Sequence, residues 1–161
     1  MTTVVRNATV ADIDELMVLR REVAGEGRWI GAELPLDEDG DRSRLTESAE
    51  QSSLFVAEVD GVLVGMVGMH LPRHRVADLG MNVKDGYRGQ GVGSALVERA
   101  ILWAREVGAH KIALQHWPHN TAARALYEKY GFEQEGYLRR HYPRNSGEIW
   151  DAVVMGLLLD D

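Results

Sequence analysis

Apolar positions along the chain follow two periods, and each predicts a different element. Short apolar runs, alternating most clearly at 54–59, predict strands over residues 4–6, 54–59, 62–70, 76–83, 111–116, 132–139 and 149–158. Asp60-Gly61 between the second and third runs is a hairpin turn signal. Helical spacing appears first behind Thr9 and Asp12, a capping box ahead of Ile13, Leu16, Met17 and Val23, with an end expected near Gly25. A turn-rich loop over 31–40 and a weaker helix over 42–51 follow. The longest helix is predicted over 91–107. Val92, Leu96, Val97, Ala100, Ala104 and Val107 form its stripe, and Gly108 sits past its last turn. A last helix is predicted over 121–130, ended by Gly131. The order is strand, two helices, three strands, helix, strand, helix, two strands. It implies a mixed α/β fold, one sheet of about seven strands covered by about four helices.

Length and composition narrow this further. A chain of 161 residues fits a single domain spanning 1–161, and no internal repeat divides it. Cysteine is absent, so disulfides, thiolate metal sites and cysteine nucleophiles are excluded; no metal is expected, and the cytoplasm is a compatible location. The formal net charge of −7 argues against a nucleic-acid partner. Residues 1–7 are too short and polar for a signal peptide, and the longest apolar stretch, 62–69, is far below a membrane span of ~20 residues. Glycine is the unusual count, at 17.

The glycines gather at Arg88-Gly89-Gln90-Gly91-Val92-Gly93, between a predicted strand and the longest helix. Small residues there let a ligand approach the backbone, and the first N–H groups of the helix have no internal partners, which makes an anion site. Arg88 would add a charged donor. The turn lacks the Gly-Lys-Ser/Thr of a Walker loop, and its Gly-x-Gly-x-Gly spacing is not that of a dinucleotide fold. The alternative is a turn that only packs a helix on a sheet.

A second constellation runs from Asn120 to Phe132. Asn120 and Tyr127 share one helix face, about 10.5 Å apart along the axis. They would line one side of an extended ligand, or serve as an N-cap and a packed aromatic. Arg88-Gly89-Gln90-Gly91-Val92-Gly93 followed by Asn120-x-x-Ala-x-x-Leu-Tyr127-x-x-x-Gly-Phe132 resembles the GNAT superfamily of acyl-CoA-dependent N-acetyltransferases. Residues 135–142 and 147–155 are similar to the ending of the branch that acetylates amino acids, peptide or protein N-termini, and polyamines.

The resemblance implies a sheet splayed at a bulge beside the glycine turn, with the pantetheine of acetyl-CoA entering the gap at Met81, Asn82 and Val83. It implies that the pyrophosphate rests on the backbone N–H groups of Arg88, Gly89, Gln90, Gly91, Val92 and Gly93, with Ser94 nearby. Asn120 would bind the thioester region, Tyr127 would protonate the departing thiolate, and the Val83 N–H would hold the oxyanion. A homodimer is expected on the same ground; the apolar end, 152–159, would be an inner strand or a dimer seam. The activity implied is direct acetyl transfer to a primary amine; the alternative is a non-catalytic acyl-CoA-binding module on the same fold.

The general base stays open. Glu58, Asp78 and His116 lie on predicted strands, and His70, His74 and His141 at strand ends or in loops; Met81 stands where some family members carry a catalytic Glu. Acceptor contacts are expected from 25–33 and 139–148, with Trp29, Glu33, His116 and Tyr142 as candidates and Trp117 and Trp150 as further walls. Glu33, Asp37 and Glu38 would attract a cationic amine.

Overall fold

Alternating side chains bury both faces of one sheet. The structure, a computed structural model, describes residues 2–46 and 51–159. Strands β1 (Thr3–Asn7), β2 (Ser52–Val59), β3 (Val62–His70), β4 (Val76–Val83), β5 (Lys111–His116), β6 (Glu133–Pro143) and β7 (Ile149–Leu158) lie in the order β1-β2-β3-β4-β5-β7-β6. Every pair is antiparallel except β4 with β5. Helices α1 (Ile13–Glu26) and α2 (Glu38–Thr46) belong to one face, α3 (Val92–Glu106) and α4 (Thr121–Lys129) to the other.

On the first face Leu16, Met17 and Val23 of α1 meet Val56, Leu63 and Met66. On the second, Leu96, Val97 and Ala100 of α3 meet Phe55, Val67 and Leu79. Each fully buried Leu, Val or Phe contributes about 1.5–3 kcal/mol, so the two stripes fix which face each helix covers. Trp103 joins the α3 stripe as a buried member that its spacing did not single out.

One irregularity in the sheet positions everything that follows. β4 and β5 pair only from Val76↔Lys111 to Asp78↔Ala113, then separate. The β3–β4 register runs unshifted from Gly65↔Val83 to His70↔Asp78, so the splay occurs without a bulge on that side. The Lys84 N–H donates to Val64 O at 2.7 Å, which fixes the phase of the β3–β4 ladder. By strict alternation Asn82 and Gly80 bond to β3, while the backbone groups of Met81 and Val83 face β5. Since β5 has diverged there, the Met81 groups and the Val83 N–H open onto the gap, while Val83 O accepts from Arg88 Nε.

Several boundaries differ from the sequence reading. Thr9 and Asp12 do form the box, with Thr9 N–H donating to Asp12 Oδ2 at 2.7 Å, but it heads a 3-10 turn over Val10–Asp12 before α1. The helix passes Gly25 and stops at Gly27, whose φ of 68° suits glycine. α2 begins at Glu38, so Gly40 is helical rather than in a loop, and the part of the expected 42–51 helix at 47–50 lies outside the described residues. β6 continues to Pro143, beyond the expected 139. β7 is flanked by β5 and β6 on its two edges, which makes the apolar end an inner strand. Among the described residues no helix is long and apolar enough to cross a membrane.

Candidate active site

The gap between β4 and β5 is the middle of a cavity of about 860 Å³ whose walls come from both faces of the sheet. On the α3/α4 face it is lined by Gly89, Gly91, Gly93, Ser94, Asn120 and Tyr127; on the other by Arg20, Met66, Asn82, Gln115 and Tyr142. Backbone of Met81 and Val83 lies between them.

The glycine turn forms one mouth. Gly89 and Gly91 hold φ of 73° and 90°, a left-handed conformation that side chains rarely adopt. A Cβ at either position would meet no atom within 4 Å, so the backbone is bare to the cavity. Ala95 N–H, bonded to Gly91 O at 3.0 Å, makes the first regular bond of α3, leaving the N–H groups of residues 92–94 open. A Cβ on Gly93 would meet Leu126 Cδ2 at 3.0 Å, so this glycine also lets α4 pack close. These features fit a polyphosphate approaching the backbone.

Arg88 contributes differently from expectation. Its guanidinium donates to both carboxylate oxygens of Glu26, at 2.7 and 2.8 Å, and to Val83 O at 2.8 Å. It therefore ties the turn to α1 and β4. Gln90 likewise turns away, donating to Gly86 O at 2.9 Å, and Val92 is buried in the core. The Ser94 hydroxyl accepts from Lys129 Nζ at 3.1 Å.

Asn120 caps α4, its Oδ1 accepting from Ala123 N–H at 3.1 Å, while the residue still lines the cavity. Tyr127, 6% exposed, lies beside Phe132 (ring centroids 5.6 Å) and His116 (6.3 Å). Burial pushes its phenol up to about 12, so it stays protonated at any physiological pH. His116 is 8% exposed, with Nδ1 bonded to Trp117 O at 2.8 Å. That bond requires the proton on Nδ1 and leaves Nε2, buried and without a partner, as a lone-pair acceptor. Desolvation lowers its pKa below the ordinary imidazole value, so the ring is neutral near pH 7.

The other sequence-predicted bases are elsewhere. Glu58 is held by Arg6 at 2.5 Å, His70 bonds Ser52 Oγ at 3.0 Å, and Asp78, His74 and His141 do not line the cavity. Trp29 does line it, its indole N–H donating to Glu26 at 2.9 Å. Tyr142 donates to Gln115 Oε1 at 2.5 Å and meets Trp117 edge-on. Glu33 is not on the wall. It pairs with Arg144 at 3.2 Å and accepts the Asn145 N–H. Glu38 pairs with Arg21, and Asp37 accepts the Gly40 N–H in the first turn of α2, so the three acids expected to draw a cation are occupied elsewhere.

Arg144, which the sequence reading did not single out, locks the wall opposite the glycine turn. Its side chain is 4% exposed, sits over the rings of Trp150 (4.3 Å) and Trp117 (5.0 Å), and donates to Gly31 O and Ile30 O. It fastens the loop after α1 to the tip of the β6–β7 hairpin.

The sequence matches the Acetyltransferase (GNAT) family over residues 17–132. The chain belongs to this family. Its relatives are N-acetyltransferases. One is the L-amino acid N-acetyltransferase AaaT of Escherichia coli (strain K12), 36% identical over 109 residues, 63% of this chain and 65% of that protein. Another is the N-alpha-acetyltransferase of Sulfurisphaera tokodaii, 30% identical over 169 residues, 94% of this chain and 90% of that one. A GCN5-related N-acetyltransferase from Kribbella flavida superposes with a TM-score of 0.87 at 29% identity, covering 98% of each chain. This acetyltransferase thus has the fold its motifs implied, and the cavity described above spans the two motifs that carried the resemblance.

Proposed function

We propose that this acetyltransferase moves the acetyl group of acetyl-CoA to a primary amine by direct attack within a ternary complex. The observation that carries the reading is the two-faced cavity: a glycine-lined mouth for a polyphosphate on one side, an aromatic and polar pocket on the other, and unpaired strand backbone where they meet. Met81 and Val83 would pair with pantetheine as an added strand, with Asn120 alongside. The amine nitrogen attacks the thioester carbon, the oxygen takes the negative charge beside the Val83 N–H, and the carbon–sulfur bond breaks. The nitrogen loses its proton and Tyr127 hydrogen-bonds the leaving sulfur. The chain has no cysteine to carry an acyl-enzyme, which favours the direct route.

Binding is tested by thermal melting. Acetyl-CoA at 100 times its dissociation constant stabilises the fold by about 2.7 kcal/mol, a shift of several degrees, while NAD gives none. No shift with millimolar acetyl-CoA overturns the reading. A shift without thiol release from any amine assigns the chain to binding alone.

His116 is our candidate for the proton acceptor. Among the described residues the cavity wall has no Asp, Glu or Lys, which leaves this imidazole as its one group able to titrate near neutrality. A base works when deprotonated, and burial lowers this pKa, so the acid limb of kcat/KM falls below ~6.5, the ordinary imidazole value. His116→Gln is expected to lower kcat by about 10–100-fold and to remove that limb. An unchanged limb in the variant returns the proton to water.

A further inference from the structure

Three arginines line the cavity, and among the described residues no carboxylate or lysine does. Two of the three are pinned by several partners at once, although the buried Nε of Arg144 makes no hydrogen bond. Arg88 is held by Glu26 and Val83 O, and Arg144 by Glu33, two carbonyls and two indole rings. Arg20 differs. It projects from α1 into the acceptor half and spends its Nε and Nη2 on a single oxygen, Asp41 Oδ2, both at 3.2 Å. Among the described residues no hydrogen bond or ion pair involves its Nη1. Asp41, itself buried, is shared: its other oxygen is taken by Arg44. Among the described residues, two guanidiniums therefore share this one carboxylate at the edge of the cavity. The same half holds a second unsatisfied group. Asn82 is 9% exposed, pairs in register with Met66 on the α1 face, and its Oδ1 is buried without a partner.

We infer that Arg20 is the anchor for an anionic group on the acceptor, so that the substrate is a small amine carrying an acid, such as an α-amino acid. Asn82, one residue from the Val83 N–H, receives the amine end, and Arg20 receives the acid end. A guanidinium with unused N–H groups binds an oxyanion through charge-assisted bonds, which are about twice as strong as neutral ones. The same wall disfavours a polyamine, whose second ammonium would meet only arginines, and gives a peptide N-terminus no carboxylate for Arg20. Val23, Ile30 and Met66 around them suit an apolar side chain. This inference rests on the acetyl-transfer reading above.

The test measures thiol release at saturating acetyl-CoA with one apolar α-amino acid offered as the free acid, its amide and its phosphonate analogue, and with spermidine and a peptide amide. The wild-type protein is expected to favour an acid over the amide by at least 100-fold in kcat/KM, and the better acid identifies carboxylate or phosphonate as the anion. Arg20→Gln raises KM for the acid about 10–100-fold while the KM values for the amide and acetyl-CoA stay within about 2-fold. Arg20→Lys keeps a cation for Asp41 and carries the test if the Gln variant does not fold; its KM rise is smaller but confined to acids. Equal use of acid and amide by the wild type overturns the inference, as does an equal loss for both in either variant. Calorimetry of the acid with the CoA-bound protein separates the two readings. Binding that is lost in Arg20→Gln, without turnover of any amine, refutes transfer and upholds the anion site. Neither binding nor turnover refutes both.

Discussion

Tyr127→Phe is expected to lower kcat by about 10–1,000-fold while the protein folds and binds acetyl-CoA as before. The ring packs against Phe132 and His116, and phenylalanine keeps that packing. Only the hydroxyl is lost. A phenol pushed up to about 12 gives its proton to a thiolate of pKa ~8.5 only uphill, so its contribution is a hydrogen bond to sulfur that strengthens as the carbon–sulfur bond breaks. Two consequences separate this from a packing role. The loss is constant from pH 6 to 9, because the group does not titrate there, and it falls on kcat and kcat/KM alike, marking an interaction made in the transition state. It also shrinks with an acyl donor whose thiol is more acidic. Wild-type turnover in the variant returns Tyr127 to the core as an ordinary aromatic.

What the sequence disclosed follows from how local each signal is. β4, β5 and β7 have the predicted ends because alternation and flanking turns define them within a few residues. α2 was misplaced because its stability is not local. The helix is polar, buries only Asp41, and is held by Arg20 and Arg21 reaching over from α1. β6 was cut short because its second half is polar, with a register shift between Leu138 and Tyr142 and Arg140 at a φ of 47°. The glycine turn and the Asn120–Tyr127 face were readable as patterns. The arginines were not. Arg20, Arg88 and Arg144 look alike in a sequence, and their difference lies in partners 21, 62 and more than 110 residues away. The glycine motif suggested that the Arg88 side chain meets phosphate, yet the Glu26 pair occupies it. The acids of residues 33–38 suggested a cation site for the same reason: composition reports charge but not what neutralises it.

Gly91→Val is expected to weaken acetyl-CoA binding by at least 100-fold, about 2.7 kcal/mol, well beyond its effect on folding. Valine at a φ of 90° is strained, which costs roughly 1–3 kcal/mol of stability wherever it occurs. The added methyl groups have room, since no atom lies within 4 Å of a Cβ there. That room is the cavity in front of the open N–H groups of residues 92–94, where a pyrophosphate would sit, and branched carbon excludes it. Gly61→Val is the matched control. Gly61 has a φ of 80° and similarly open surroundings, but it is in the β2–β3 turn and does not line the cavity. Both variants should melt lower without ligand. Acetyl-CoA should restore several degrees to Gly61→Val and almost nothing to Gly91→Val. If Gly91→Val is too unstable to purify, Gly91→Ala makes the same comparison with a smaller obstruction. Equal rescue of the two variants by acetyl-CoA means that the turn only packs α3 on the sheet and that the phosphate site lies elsewhere.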